Sequence, residues 1–313
     1  MLNQFVDDTK YLSLPYRSGA VRESSDTFIR VCTIMTSFNR RDKTMECLNA
    51  LSKNETTYEI RLATILTDDG STDGTSPSVE TAFSWVHIIQ GTGNLYWCRG
   101  MHNSFGLALK CNADFYLWLN DDTVLQQDAL ARLLQWESEL RTSHGRPVIV
   151  VGSTNDPEFG GITYGGERQA SLWRRTRFVK IIPSDKPQRC DSMNGNIVLI
   201  SRAAAQIVGN LDPTFEHAMG DTDYALRARR LGVDVWVAPG VFGTCADNSP
   251  TGTFMDPSLP LSRRWKMMMG RKGLPWRSWL TLTRRHTGLL WPLYFVWPYV
   301  RLLTGRYTQR DHS

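Results

Sequence analysis

Short apolar runs alternate with polar loops from about residue 30 to residue 245, and this alternation predicts strands separated by helices. Leucine and methionine at helical spacing predict helices over Arg40–Lys53 and Val124–Leu140. This order of elements is typical of an α/β domain with a mostly parallel central sheet flanked by helices. The predicted strands are Arg30–Thr36, Ile60–Thr67, Trp85–Gln90, Asp114–Leu119, Pro147–Gly152, Ile197–Ser201 and Val233–Ala238.

The pattern changes near Met255, after which tryptophan and basic residues become frequent. The stretch Leu289–Leu303 holds fourteen apolar or proline residues out of fifteen, and arginines flank it. At about 1.5 Å per helical residue it is too short to span roughly 30 Å of hydrocarbon. We expect residues 256–313 to lie in a membrane interface, with tryptophan at headgroup depth and arginine on anionic lipid. The alternative is a helical hairpin packed on the body or on the second subunit of a homodimer.

The net charge of +5 is unevenly distributed between these two parts of the chain. From Asp256 to Ser313 there are eleven Lys or Arg and two acids, whereas the other 255 residues hold 25 basic and 29 acidic side chains. A basic tail on a mildly acidic body favours contact with a polyanion, either lipid headgroups or nucleic acid. Proline among large aliphatic residues favours lipid, so no nucleic-acid partner is expected.

Composition and cysteine spacing narrow the class of protein further. Hydrophobic residues make up 41% of the 313 residues and charged residues 21%, which excludes extended disorder. The six cysteines have no C-x-x-C spacing, which favours a reducing compartment over a structural zinc site or a disulfide framework. Residues 1–27 are polar, without an apolar run of signal-peptide length, and are interpreted as an irregular lead-in to a domain over 28–255. These features predict a cytoplasmic protein, peripheral on the inner face of the plasma membrane.

Three acidic clusters follow predicted strands or precede a helix: Asp68–Asp69, Asp121–Asp122, and Asp221 with Asp223. Ligands of open α/β sheets bind beyond the carboxyl ends of the strands. Carboxylates there can accept hydrogen bonds from a nucleobase or ribose, hold Mg²⁺ or Mn²⁺ on phosphate oxygens, or deprotonate a hydroxyl. Each cluster alone also fits an Asp-Gly turn, a helix N-cap or an Asp–Arg pair within a helix.

Six segments occur in a recognisable order along the chain: VCTIMTSFNR (Val31–Arg40), LTDDGSTDGT (Leu66–Thr75), GNLYWCRGM (Gly93–Met101), LWLNDDT (Leu117–Thr123), NGNIVLISR (Asn194–Arg202) and GDTDYALRARRLG (Gly220–Gly232). Taken together, these segments resemble the family 2 glycosyltransferases, inverting nucleotide-sugar enzymes of the Rossmann-like GT-A fold. The loop GNLYWCRGM is similar to one in bacterial rhamnosyltransferases and some galactofuranosyltransferases.

The resemblance implies a nucleotide-binding part over 28–123, an acceptor part over 124–255 and a Mn²⁺ or Mg²⁺ cofactor. The general base would be Asp221, with Asp223 orienting Arg227 or sharing the base role. The metal ligands would be Asp122 and, in place of a histidine found in many relatives, Asp247. The acceptor side would include Asn194, Gly195 and His217. The donor would contact Thr36, Phe38, Asn39, Arg40, Asp68, Asp69, Gly70, Asn94, Trp97, Arg99 and Asp121.

The implied reaction moves one sugar from a UDP- or dTDP-linked donor to a hydroxyl of a growing glycan. A lipid-linked acceptor, as in polysaccharide or O-antigen assembly, would explain the aromatic and basic tail. Three alternatives stay open: a metal-dependent nucleotidyltransferase, a nucleic-acid-binding protein and a glycan-binding protein without catalysis. The phosphate-binding sequence G-x-x-x-x-G-K-[ST] and the dinucleotide-binding G-x-G-x-x-G after the first strand do not occur.

Overall fold

The structure is a computed structural model, and it describes residues 17–18, 28–54, 60–111, 113–247 and 251–305. Its strands are β1 (Arg17–Ser18), β2 (Ile29–Ser37), β3 (Ile60–Asp68), β4 (Val86–Gln90), β5 (Phe115–Leu119), β6 (Val124–Leu125), β7 (Val148–Asn155), β8 (Gly166–Gln169), β9 (Phe178–Lys180), β10 (Gln188–Arg189), β11 (Ser192–Met193), β12 (Ile197–Ser201) and β13 (Asp234–Thr244). Its helices are α1 (Arg41–Ser52), α2 (Thr75–Ala82), α3 (Tyr96–Ala108), α4 (Ala129–His144), α5 (Arg202–Val208), α6 (Gly220–Arg230), α7 (Leu261–Met268), α8 (Trp276–His286) and α9 (Trp291–Leu303).

The predicted α/β class with a mostly parallel central sheet is confirmed. The main sheet has the order β1-β3-β2-β5-β12-β7-β13-β10, with β4 paired to β3 and β6 paired to β13. The long strands β2, β3, β4, β5, β7 and β13 run in one direction, and β12 runs against its neighbours β5 and β7. The carboxyl ends of these strands therefore meet along one edge of the sheet.

The sheet is covered on both faces, which explains why its strands are apolar without a strict alternation. In β2, Val31 and Met35 pack into one core layer with Leu48 of α1, whereas Cys32 and Ile34 pack into the other layer. This second layer also holds residues of α3, α6 and the C-terminal helices. The side-chain period of two along each strand thus serves two separate cores.

The predicted helix over Val124–Leu140 begins later than its periodicity suggests. Val124 and Leu125 form β6 and pair with Gly243 and Thr244 at the end of β13, and α4 starts only at Ala129. This long-range strand pairing has no local signal. It also removes Asp121 and Asp122 from the N-terminus of the helix, so these carboxylates do not cap α4.

The C-terminal segment folds back onto the body as α7, α8, a 3₁₀ turn and α9. Trp279 and Leu282 of α8 and Tyr299 and Leu302 of α9 are buried in the core layer that also holds α3 and α6. One side of the segment therefore packs as the hairpin alternative expected. In the part of the chain described, none of the helices combines the length and apolarity that crossing a bilayer requires. Within the lead-in, the structure describes only β1, which pairs with β3, and residues 306–313 lie outside the described ranges.

Candidate functional site

Two aspartates at the end of β3 hold the neighbouring loops in place. Asp68 is buried and accepts hydrogen bonds from the Ser71 N–H (2.9 Å) and from the Ser76 hydroxyl, as expected of a turn residue. Asp69 is also buried, and its carboxylate accepts three backbone N–H groups from the loop after β4. Gly93 donates to Oδ1 at 2.8 Å, and Leu95 and Tyr96 donate to Oδ2 at 2.8 and 3.0 Å.

Close backbone approach explains the glycines of this region. Gly70 has a φ of +77°, and a Cβ there would lie 3.0 Å from the Gly93 nitrogen. Thr36, at the end of β2, donates its hydroxyl to the Thr67 carbonyl at 3.1 Å. A Cβ on Gly100 of α3 would overlap the Thr36 side chain, so α3 packs directly on β2 beside the predicted donor pocket.

The loop after β2 contacts two other segments that were predicted to bind the nucleotide, the one after β3 and the one after β5. Asn39 accepts a hydrogen bond from the Thr72 N–H through its side chain (2.8 Å), while Phe38 is half-exposed. Arg40 Nη1 lies 2.6 Å from Asp122 Oδ2 and 3.2 Å from Asp121 Oδ1, so a cation bridges the two carboxylates that follow β5. Burial raises the pKa of Asp121 to about 6, although the Arg40 charge opposes the shift.

A thiol lies beside the carboxylate that was predicted to hold the metal. Cys245, at the end of β13, has its Sγ 3.5 Å from Asp122 Oδ1 and 3.4 Å from Asn196 Nδ2. Two ligand atoms at this separation can reach one divalent cation, because metal–oxygen and metal–sulfur bonds are about 2.0–2.3 Å long. Asp247 is exposed, and its backbone N–H donates to Asp156 Oδ2 at 3.2 Å.

These groups fit a divalent cation that is bound partly by the protein and partly by the oxygens of a diphosphate. Among the residues with described coordinates, no group of three or more His, Cys, Asp or Glu side chains could hold a metal ion alone. One or two protein ligands are sufficient when substrate phosphate oxygens complete the coordination. The guanidinium of Arg40 between the two carboxylates is a direct sign that this position favours positive charge.

A series of contacts connects the segment that carries Asp121 and Asp122 with the predicted base, Asp221. The indole Nε1 of Trp97 donates to Asn120 Oδ1 at 2.7 Å, one residue before Asp121. The Trp97 ring packs against Gly195, where a Cβ would overlap it, and the Gly195 N–H donates to Asp221 Oδ2 at 3.1 Å. Arg99, by contrast, binds the Pro213 carbonyl (2.9 Å) and Glu216 (3.2 Å), and Asn94 is exposed.

The two aspartates of α6 have different environments. Asp221 is half-buried, its Oδ1 accepts the Thr222 N–H at 2.8 Å, and burial raises its pKa. Asp223 is fully buried. It lies 2.8 Å from Arg227 Nε, 2.7 Å from Arg285 Nη1 and 2.9 Å from His286 Nε2. Burial alone would raise the pKa of Asp223, but the hydrogen bonds from His286 and Arg227 outweigh it and lower the pKa.

The residues predicted for the acceptor side, together with the carboxylate of Glu167, have the following surroundings. Asn194 accepts the Gly165 N–H through Oδ1 at 3.3 Å. Glu167 on β8 was not predicted from the sequence; burial, with the nearby charge of Asp221, raises its pKa to about 7. His217 packs edge-on against Tyr96, its buried Nδ1 has no partner among the described atoms, and burial lowers its pKa to about 4.

Backbone strain is concentrated around the same groups. Asn39, Tyr96 and Met219 are the non-glycine residues with positive φ in the described ranges, at 51°, 59° and 73°. Asn39 precedes Arg40, Tyr96 is held by Asp69, and Met219 precedes the helix that carries Asp221. Such conformations cost about 1–3 kcal/mol each and are most frequent at functional sites.

Comparison with known families settles what kind of protein carries this site. The sequence profile described as "Glycosyl transferase family 2" matches residues 32–204, which is more than half of the chain. The chain belongs to glycosyl transferase family 2. This glycosyltransferase thus contains the strands that carry Asp69, Asp121 and Asp122 within the matched range. No curated protein sequence matches it.

Solved structures similar to this glycosyltransferase share its GT-A fold at 15% sequence identity. The mannosyltransferase PcManGT from Pyrobaculum calidifontis, in complex with GDP-Man and Mn²⁺, has a TM-score of 0.51 and covers 95% of this chain and 79% of its own. GalNAc-T7 with UDP, GalNAc and Mn²⁺ has a TM-score of 0.52, covering 72% of this chain and 46% of its own. S. aureus TarS has a TM-score of 0.47, covering 80% of this chain and 40% of its own. The chain thus spans less than half the length of the last two proteins.

Proposed function

We propose that this glycosyltransferase moves a sugar from a UDP- or dTDP-linked donor to a glycan hydroxyl with inversion at the anomeric carbon. The observation that carries the proposal is the contact series from Asp221 through Gly195 and Trp97 to Asn120, beside Asp121. The contact series thus connects a carboxylate that can accept a proton from the attacking hydroxyl with the carboxylate–thiol pair that can bind a cation. A single displacement needs the base and the cation in the same step.

In this proposal Asp221 is the general base. It is partly buried, and two backbone N–H groups, those of Gly195 and Thr222, hold its carboxylate beside the predicted acceptor residues Asn194 and Gly195. A carboxylate held in this way can take the proton of the acceptor hydroxyl while that hydroxyl attacks the anomeric carbon from the side opposite the leaving diphosphate. Asp223 acts as a positioning residue, because Arg227, Arg285 and His286 already occupy its carboxylate.

Asp122 and Cys245 would hold the divalent cation, and Asp121 would contact the ribose. The cation supplies charge neutralisation for the departing nucleotide diphosphate. The adjacent thiol favours the softer Mn²⁺ over Mg²⁺. Asp247, two residues after Cys245, remains the second predicted ligand. PcManGT and GalNAc-T7, which share the fold, were crystallised with Mn²⁺, which supports a divalent cation here.

The donor and acceptor classes rest on the sequence resemblance together with the site. Nucleotide-sugar or nucleotide complexes of the fold neighbours support a nucleotide-linked donor. The similarity of Gly93–Met101 to rhamnosyltransferases and to some galactofuranosyltransferases favours rhamnose or galactofuranose as the transferred sugar. The basic, aromatic C-terminal segment favours a lipid-linked glycan of the polysaccharide or O-antigen type as acceptor.

Calorimetric titration of UDP, dTDP, GDP and CMP, each with and without Mn²⁺, tests the donor assignment. We expect UDP or dTDP to bind and the binding to require the metal ion. Failure of all four nucleotides to bind would overturn the proposed function. Asp122→Asn serves as the matched variant, and Asp128→Asn, an exposed carboxylate at the start of α4, serves as its control.

A further inference from the structure

The outward side of α9 and of the 3₁₀ turn before it is a continuous apolar stripe. Its residues recur every three or four positions, which is the spacing of one helix face. Leu289 is 97% exposed, Leu293 68% and Trp297 59%, whereas Tyr299 and Leu302 on the other side are buried. We define the outer face of α9 as Leu289, Leu290, Leu293, Val296, Trp297, Val300 and Leu303.

A turn from a distant part of the chain extends this apolar surface. Leu172 and Trp173 are each 81% exposed, and the Trp173 carbonyl accepts the Tyr294 hydroxyl of α9 at 2.6 Å. Arg175 Nη1 also approaches the carbonyl of Thr287 at 3.5 Å, at the end of α8. These contacts hold the 172–173 turn beside the first turn of α9, so the two apolar elements share one side of the molecule.

The two segments that form this surface are rich in basic residues. Residues 261–305 contain nine Lys or Arg and no Asp or Glu, and residues 168–184 contain five Lys or Arg and no acid. Arg174 and Arg284 are exposed, and Arg284 lies over the ring of Trp291 at 5.6 Å. Exposed tryptophan and leucine with exposed arginines beside them suit the headgroup region of an anionic bilayer.

We propose that the outer face of α9 and the 172–173 turn together form a docking surface for an anionic membrane. The charge pattern selects lipid as the occupant, because a second copy of this basic surface would repel the first. The surface differs from the sequence expectation in two respects. One side of Leu289–Leu303 is unavailable to lipid, and Leu172 and Trp173 contribute from outside the C-terminal segment.

The docking surface is structurally connected to the candidate base. Arg285 and His286 at the end of α8 contact Asp223, which lies two residues after Asp221 on α6. Arg230 of α6 also donates to the Arg285 carbonyl at 2.9 Å. A membrane bound at α9 therefore has a fixed orientation relative to Asp221. The vesicle contact stands by itself, whereas its use for a lipid-linked acceptor rests on the proposed function.

Vesicle co-sedimentation of the full chain tests the surface, with phosphatidylcholine vesicles prepared with and without phosphatidylglycerol. We expect binding only when the anionic lipid is present, and weaker binding at higher salt. Leu293→Ser with Trp297→Ser, and separately Leu172→Ser with Trp173→Ser, should each lower the partition constant about tenfold or more. Phe159→Ser, which changes an equally exposed aromatic residue in another loop, should leave it unchanged.

Point substitutions are preferable to truncation at residue 285, because truncation would remove the contacts with Asp223. Each variant should keep the wild-type melting temperature and nucleotide affinity, since the changed side chains are exposed. The proposal is overturned if the wild type does not bind anionic vesicles or if the variants bind them as strongly as the wild type. It is also overturned if the substitutions convert a dimer into a monomer without changing vesicle binding. Loss of nucleotide binding with intact vesicle binding would reject the proposed function alone.

Discussion

The Gly195 N–H donates a hydrogen bond to Asp221 Oδ2 at 3.1 Å, so the loop after β11 fixes the first turn of α6. The same glycine packs against the indole of Trp97, which in turn donates to Asn120. The orientation of the Asp221 carboxylate therefore depends on a residue without a side chain.

Gly195→Ala should impair transfer without touching any carboxylate. The added methyl group would overlap the Trp97 ring, displace the indole and weaken its bond to Asn120. We expect a loss in kcat of about 100-fold, as small misplacements at reacting groups produce, with destabilisation of about 1–3 kcal/mol. Gly161→Ala, where a Cβ meets open space, is the control. Equal kcat values for the two variants would contradict the positioning role of Gly195.

Asp221→Asn should remove the proton acceptor and spare donor binding. We expect transfer to fall by about 10²–10⁴-fold while the Kd for the nucleotide stays at its wild-type value. Single-turnover assays and calorimetry measure the two quantities separately. A variant that keeps its turnover would remove Asp221 from the base role.

The pH profile of the wild type offers an independent measurement of the same group. The base is active when deprotonated, and burial raises the pKa of Asp221 above its ordinary value of 3.8. Activity should therefore decline, as the pH falls, at a higher pH than an exposed aspartate would cause. An acid limb at or below the ordinary aspartate value would argue against Asp221.

Cys245→Ser should change which metal ion supports nucleotide binding. Replacing the thiol beside Asp122 with a harder oxygen should weaken Mn²⁺ binding more than Mg²⁺ binding. Electron paramagnetic resonance of free Mn²⁺, titrated with protein and UDP, measures this directly. Cys111→Ser, which changes a buried thiol three residues after the end of α3, controls for general destabilisation. An unchanged Mn²⁺ affinity would leave Asp122 as the protein ligand without Cys245.

Asp223→Asn should destabilise the fold and alter its acid sensitivity. The change leaves Arg227, Arg285 and His286 without their shared anion, and breaking such a buried pair costs about 3–5 kcal/mol. The folded-state pKa of Asp223 is lowered, so its stabilisation is fully present above the unfolded pKa. It is lost as the pH falls through the lower folded value.

Chemical denaturation at several pH values measures this effect. The difference between wild type and Asp223→Asn should be largest near neutrality and should shrink below about pH 4. Asp42→Asn, an exposed carboxylate on α1, should stay within about 0.5 kcal/mol of the wild type. A constant difference at all pH values would mean that Asp223 does not carry the linkage.

The α/β class and the longer strands of the main sheet were predictable from the sequence, because buried parallel strands are apolar runs and polar residues follow their carboxyl ends. The family was predictable from the resemblance of its ordered motifs. The Asp223–Arg227 pair was also predictable, since residues four apart share a helix face. The predicted start of α4 was wrong, because Val124 and Leu125 pair with β13, about 120 residues away.

The partners of each polar group follow from the tertiary structure. In the folded chain Cys245 lies against Asp122, and Trp173 lies beside Tyr294. The Asp69 carboxylate accepts hydrogen bonds from three backbone N–H groups. The tertiary structure also decided which side of α9 is buried, since both sides are apolar and periodicity cannot distinguish them. These contacts join residues far apart in the chain, so their geometry follows from the packing of whole elements rather than from local sequence.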